Sequence, residues 1–268
     1  MSGMRKYVAI GKTSMEVLFV YRASFAMNLL GTVFYVVAMF YLWQVIFLGK
    51  AGNLGGFTWP QMKAYLLVAF LMNSLISWFD EGYMARDVRM GRIATDLVRP
   101  IDFQTKRFAE AIGPLPVLLV SALMVSAVAI VAFDGISPPA SPVSLTLFAL
   151  SAALAIVLNF GIVYCVSMLA FWTTGMTGIR VGRVAVQNLF SGALIPLAFF
   201  PGWLRTVAAV LPFQGLVSTP ALIYLGDKMD GPTTAAMIGV QAFWSVVFLL
   251  LGRAIWRGAV KAVTIHGG

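Results

Sequence analysis

The chain alternates between long apolar runs and short polar breaks. The runs cover residues 24–48, 61–78, 111–133, 143–172, 186–200 and 233–251. A helix crossing the hydrocarbon of a bilayer needs about 20 apolar residues. Barrel strands need only about 10 and alternate polar with apolar, a pattern these runs lack. The spacing predicts an all-α membrane protein with six transmembrane helices, built as one transmembrane domain over residues 1–268. None of the ten acidic residues falls inside a run. A charge at the bilayer centre costs about 2.5–3.5 kcal/mol on insertion scales. The spans therefore hold no carboxylate to carry a proton or a sodium ion.

The breaks have characters of their own. In residues 4–22, Met4, Val8, Met15, Leu18 and Phe19 recur at helical spacing, with Arg5, Lys6, Lys12 and Glu16 elsewhere on the surface. That pattern predicts an N-terminal helix lying in the membrane interface. Residues 50–60 are short and glycine-rich, so spans one and two should form a tight hairpin. The stretch 80–110 carries six basic and six acidic residues and is the longest polar segment. The turn 134–142 contains Pro138, Pro139 and Pro142. Span four is rich in small residues (Ser151, Ala152, Ala153, Ala155, Gly161), which allow close helix approach. Residues 173–187 are amphipathic and basic. Between spans five and six, Pro201-Gly202-Trp203 and Pro212-Phe213 each end or kink a helix. Neither piece of 201–226 is long enough to span, which predicts a re-entrant helical hairpin that dips into the outer leaflet and returns.

Composition agrees with this reading: 60% of residues are hydrophobic and 11% charged, too few charges to cover a water-soluble domain. The net charge of +9 is unevenly placed. With the N-terminus inside and six spans, fifteen of the 19 Lys and Arg residues fall on the inner side, leaving Lys50, Lys63, Arg205 and Lys228 outside. That asymmetry is the positive-inside rule, so both termini are expected in the cytoplasm of a bacterial inner membrane. The basic excess then serves topology and anionic membrane lipids, with no call for nucleic acid. The first run starts too late and is too long for a cleavable signal peptide.

Candidate chemistry is sparse. Gly11-Lys12-Thr13 looks like the end of a phosphate-binding loop, but that pattern needs a glycine at position 6, where Lys6 stands. The one histidine, His266, is three residues from the end, and no His, Cys or carboxylate cluster has metal-ligand spacing. An intramembrane serine protease would need a base that the spans lack. Cys165 is the single cysteine and sits mid-span as a packing residue. The chain is expected to be neither an enzyme nor a binder of any cofactor or metal of its own.

Two stretches carry a resemblance. The segment Gly91-Arg92-Ile93-Ala94-Thr95-Asp96-Leu97-Val98-Arg99-Pro100-Ile101 resembles the G-x-(I/L)-x-x-x-L-x-R-P-(I/L) loop of a subgroup of ABC-2 permeases that often pair two different subunits. The segment from Ser191-Gly192-Ala193-Leu194-Ile195-Pro196 through Pro201-Gly202-Trp203-Leu204 to Leu211-Pro212-Phe213 is similar to that family's span-five and external half-helix signature. The resemblance covers essentially the whole chain. It implies a transmembrane subunit of an ATP-driven exporter, paired with a second permease subunit, the same or different. It also implies that ATP-binding cassette ATPase subunits, which bind the ATP and magnesium, dock beneath a coupling helix within 80–110. Arg92, Asp96 and Arg99 are then candidates to pair with an ATPase groove that Leu97, Val98, Pro100 and Ile101 fill.

The same resemblance implies that spans two and five line the substrate path. Span two offers Phe70, Asn73, Ser74 and Trp78; span five offers Asn188, Phe190, Ser191 and Phe199. Aromatic and amide groups without charge suit a hydrophobic or amphipathic compound, drug-like or lipid, over a sugar or small anion. The competing readings are a channel or a secondary transporter without an ATPase partner. The first would want a polar stripe along a span, and the second intramembrane carboxylates.

Overall fold

The computed structural model describes residues 2–20, 22–48, 53–79, 81–173, 175–226 and 231–263. Asp80, at the start of the expected polar loop, and Lys50, Asp227, Lys228 and His266 lie outside the described residues. Twelve α-helices are present among those residues: α1 (Ser2–Val20), α2 (Arg22–Leu48), α3 (Trp59–Ile76), α4 (Glu81–Arg89), α5 (Arg92–Leu97), α6 (Phe103–Ile112), α7 (Leu115–Ala132), α8 (Pro142–Ser167), α9 (Thr177–Ser191), α10 (Gly202–Val210), α11 (Ser218–Leu225) and α12 (Gly231–Val263). Five stretches are long and apolar enough to cross a membrane, carried by α2, α3, α7, α8 and α12. The chain is thus an all-α membrane protein, apart from one small ribbon. That ribbon pairs β1 (Asn53–Leu54) with β2 (Phe57–Thr58) through Gly55 and Gly56, both at positive φ. A two-residue turn with φ > 0 at both central positions fits glycine because it has no Cβ to clash.

Local chemistry explains where the helices begin. Thr58 caps α3 in a reciprocal box: the Thr58 amide donates to Gln61 Oε1 at 2.9 Å, and Gln61 N donates back to the Thr58 hydroxyl. Ser141 caps α8, accepting from Ser144 N at 3.0 Å, with Pro142 at the first helical position. Asp102 caps α6, accepting from Thr105 N at 2.8 Å.

The core gathers on α3. Met62, Ala64, Tyr65, Val68, Ala69 and Met72 pack with Ala155, Leu158 and Ile162 of α8 and with Leu216, Val217 and Ala221. By contrast α2 is exposed along much of its length, including Met27, Leu30, Phe34 and Val45. An apolar helix left this bare needs lipid or another subunit against it.

The bundle has two distinguishable ends. At one, the β-ribbon and the turn between α7 and α8 lie near the start of α3, where Lys63 Nζ donates to the Phe133 carbonyl at 3.0 Å. At the other lie α1, α4, α5, α6 and the end of α12. There Arg253 Nε donates to Gln104 Oε1 at 3.0 Å, and Phe103 stacks on Trp256 at 3.8 Å between ring centres.

Two expectations need correction. The polar stretch 80–110 is not a loop but a helical cluster: Gly91 turns left-handed between α4 and α5, and α6 continues past Pro114 into α7. The apolar run 186–200 is an α-helix only as far as Ser191. Helix α9 lies nine residues earlier, ends at Ser191 with Gly192 at φ 83°, and the chain continues through a 3-10 turn at Leu197–Phe199. The apolar run continues past the point where Gly192 and Pro196 stop the helix. On α1, Met4, Val8 and Phe19 of the apolar stripe are exposed, and the face toward the bundle includes Leu18 and Gly11, where a Cβ would meet the Ala109 carbonyl of α6 and Gly113 just after it. At the expected fifth span, α9 is only 15 residues long, so five helices among the described residues are long enough to cross a membrane.

Segment 201–226 leaves and returns at the ribbon end. It starts beside Phe199, which packs on Gly55 and Phe57, and finishes where Ala140 N donates to the Tyr224 carbonyl. Between them, α10 and α11 flank a 3-10 turn at Pro212–Leu216. Gly215 there meets Leu158 of α8 and Gln241 of α12. Its backbone is satisfied internally: Gln241 Nε2 donates to the carbonyls of Gly215 and Ser151, each at 2.7 Å, while Ser151 Oγ donates to Gln241 Oε1.

Candidate functional site

Helices α4, α5 and α6 form a small polar platform. Lys106 reaches Asp96 at 2.6 Å, Arg107 bridges Asp87 at 2.5 Å and Glu110 at 2.9 Å, and Arg92 meets Asp87 at 2.8 Å. Burial alone would raise the Asp102 carboxyl, but the Thr105 hydroxyl and amide and the Arg253 charge outweigh it and hold it below its usual range. Ile93 is buried beneath, in a cluster with Phe79, Met84 and Phe103.

This packing sorts the expected coupling residues. Leu97, Val98, Arg99 and Pro100 stand out from the platform, with Val98 84% exposed. Ile101 is half-buried. Asp96 points inward, its side chain only 8% exposed against Lys106. Arg92 is held by Asp87. Asp96 and Arg92 therefore brace the platform, and the protruding tip is Leu97 to Pro100.

Three cavities follow one another along α2 and α3. The first, about 840 Å³, opens beside the platform between α1, α2, α4, α6 and α8. It shares Phe25, Asn28 and Trp78 with a second, of about 430 Å³. The second in turn shares Tyr35, Phe70, Asn73 and Ala193 with a third, of about 50 Å³, that reaches Lys63 and Phe133 at the ribbon end. The middle cavity brings Phe70, Asn73, Ser74 and Trp78 of the α3 region together with Asn188 of α9. Phe190, Ser191 and Phe199 are not in it. Phe190 packs with Leu204, Leu197 and Phe200. Ser191 is buried, its hydroxyl accepting from Ala193 N. Phe199 lies against Trp43 and Phe57 at the ribbon end. Phe190 and Ser191 lie on other faces of the last turn of α9, and Phe199 follows the break at Gly192 to the ribbon end.

Of the residues at the half-helix break, Pro201, Gly202 and Trp203 are exposed, Trp203 at 70%. Pro212 is buried, and Phe213 packs on the α3–α8 core.

A family profile described as "ABC-2 family transporter protein" matches residues 33–267. The chain belongs to the ABC-2 transporter family. No curated protein matches it. As an ABC-2 family member it is a multi-pass membrane transport subunit, from a family whose members work with ATPase subunits.

Within this ABC-2 fold a buried polar chain escaped the sequence reading. Glu81 is fully buried at the start of α4, with Arg183 Nε of α9 against its Oε1. Arg183 also donates to Gln187 Oε1 at 2.5 Å; Gln187 donates to Asn159 Oδ1 at 3.2 Å, and Asn159 to the Ile76 carbonyl at 3.1 Å. The chain ties α3, α4, α8 and α9 together at the platform end. Its one sequence signal was Arg183 and Gln187 four residues apart, one turn of the same helix face.

Proposed function

We propose that the chain is the transmembrane permease subunit of an ATP-driven exporter that moves a hydrophobic or amphipathic compound, drug-like or lipid, out of the cytoplasm. The observation that supports this best is the continuity of the three cavities. They run from the basic platform to the ribbon, and Phe70, Asn73, Ser74, Trp78 and Asn188 line the middle with rings, amides and a hydroxyl and no charge. Such walls pair with apolar surface and a few hydrogen bonds, and they offer little to a sugar.

In this reading the platform is cytoplasmic, both chain ends face the cytoplasm of a bacterial inner membrane, and α1 lies in the interface. The two-end geometry supports six crossings. The end of α12 packs on α6 at the platform, where α1 also lies, and this supports an even number of crossings. The sixth crossing is α9 plus its irregular continuation: Arg183 meets Glu81, the Gly192 carbonyl accepts from Tyr65 Oη, and Phe199 meets the ribbon. Residues 201–226 are then the re-entrant hairpin. ATP and magnesium are bound by a separate ATPase subunit, whose closing motion arrives at Leu97 to Pro100. A second permease subunit, the same or different, covers the exposed α2.

The test is export from cells. Deleting the gene should sensitise the cell to lipophilic toxins, and the Asn73→Leu and Asn188→Leu variants should fail to restore resistance although both reach the membrane. A deletion strain indifferent to every lipophilic compound, yet starved of a nutrient, would overturn both direction and cargo class.

A further inference from the structure

The cavity beside the platform differs from the groove it feeds. Its inner wall is apolar and aromatic: Leu18, Phe25, Trp78, Phe79 and Phe160. Its mouth carries Arg86, Arg92 and Arg107 against two carboxylates, Asp87 and Glu110. The two carboxylates are already bridged by Arg107, and Arg92 shares Asp87 with it. Arg86 is exposed and rests on the Tyr83 ring, 5.6 Å from its centre, with no carboxylate partner among the described residues. Among the described residues the mouth therefore holds one uncompensated positive charge.

A second observation points inward. Tyr164 lines this cavity and is only 3% exposed, yet its hydroxyl has no hydrogen-bond partner. Arg107 Nε is likewise buried without a partner. A buried, unpaired donor costs about 1–3 kcal/mol, so a cavity lined by two of them favours an occupant that accepts hydrogen bonds. Amphipathic aromatic side chains such as Trp78 and Tyr83 favour the depth where headgroup meets acyl chain.

We propose that this cavity binds an anionic amphiphile drawn from the adjacent leaflet. Its charged headgroup sits between Arg86 and Arg107 and accepts from the Tyr164 hydroxyl, and its chain runs past Trp78 and Asn28 toward the middle cavity. The ligand is a membrane lipid or lipid-like acid, not a free anion, because the apolar wall is larger than any headgroup needs. This deepens the proposed function: it names the class of cargo, and it rests on that reading for the step from binding to export.

The full chain, purified and reconstituted in nanodiscs, tests the binding alone. The probes are phosphatidylglycerol and phosphatidylcholine with brominated chains, which quench tryptophan on contact. The difference in signal between the chain and its Trp78→Phe variant isolates Trp78. Brominated phosphatidylglycerol should quench Trp78 at a mole fraction about fivefold lower than brominated phosphatidylcholine, as expected for one basic group at a lipid surface. Arg86→Ala should erase that preference and Arg86→Lys should keep it. Tyr164→Phe removes a hydroxyl with no protein partner, so it should weaken the preference without lowering the melting temperature. Equal quenching by both lipids overturns the inference. So does displacement by millimolar inorganic phosphate, which would mark a site for a soluble anion. Preferred binding of phosphatidylglycerol with no export in cells would uphold this site and overturn only the transport reading.

Discussion

At the scale of single residues, the buried Glu81–Arg183 pair is the most exposed to test. Two ions out of water gain little net stability from each other, but removing one leaves the other unpaired. Glu81→Ala is therefore expected to destabilise the protein by about 3–5 kcal/mol, as is Arg183→Ala. The double variant Glu81→Met with Arg183→Met removes both charges and should cost less than either single change. Thermal unfolding in detergent reads all three. Asp102 gives a pH test. Its carboxyl is held below its unfolded range, so the stability it adds is present above that range and lost as pH falls through the folded value. Wild-type stability should fall on acidification below about pH 4 more steeply than that of Asp102→Asn. The sequence carried a local signal for the Asp102 cap that went unread, since aspartate is favoured just before a helix. It could not reveal Glu81 as buried, since its partner Arg183 lies 102 positions away.

At the scale of elements, the apolar runs located α2, α3, α7, α8 and α12 because each is long and nearly free of charge. They misplaced α9, since hydropathy cannot distinguish helix from coil that a neighbouring core satisfies. Gly192 and Pro196 were the visible signals, and Tyr65, which donates to the Gly192 carbonyl, was not a local one. Of the expected path, the span-two residues and Asn188 share a cavity, whereas Phe190 and Ser191 at the end of α9, and Phe199 past the break, pack elsewhere. Helix α1 holds a contact that hydropathy does not signal, since two glycines, Gly11 and Gly113, meet where it approaches the end of α6. A Cβ on Gly113 would overlap the Gly11 carbonyl. Gly113→Ala should pry α1 from α6 and destabilise by about 1–3 kcal/mol, visible as faster proteolysis between α1 and α2. Gly178→Ala, where a Cβ meets nothing within 4 Å, should have no such effect.

At the scale of the whole molecule, the proposed coupling requires work done by an ATPase on one side to reach the groove. The geometry of the platform suits that transfer. Its ion pairs fix α4, α5 and α6 to one another, Arg253 and Trp256 fix α6 to α12, and Arg183 fixes α4 to α9. A push on the tip would thus move as a unit with the helix that carries Asn188 into the middle cavity. Leu97 to Pro100 are all exposed, and Val98 is the most exposed of the large apolar residues on the platform. An apolar side chain in that position pairs with an apolar groove, and a carboxylate there would be desolvated without a partner. Val98→Asp combined with Arg99→Glu should leave the permease folded and inserted, because neither side chain holds the platform together. It should lower substrate-stimulated ATPase activity of the assembled complex at least tenfold, the equivalent of about 1.4 kcal/mol of lost coupling. Reversing Asp96 instead should reduce the melting temperature, since Asp96 braces Lys106. If the tip variant stimulates ATP hydrolysis as well as the parent does, the coupling enters elsewhere, and the exposed faces of α4 and α9 become the next candidates.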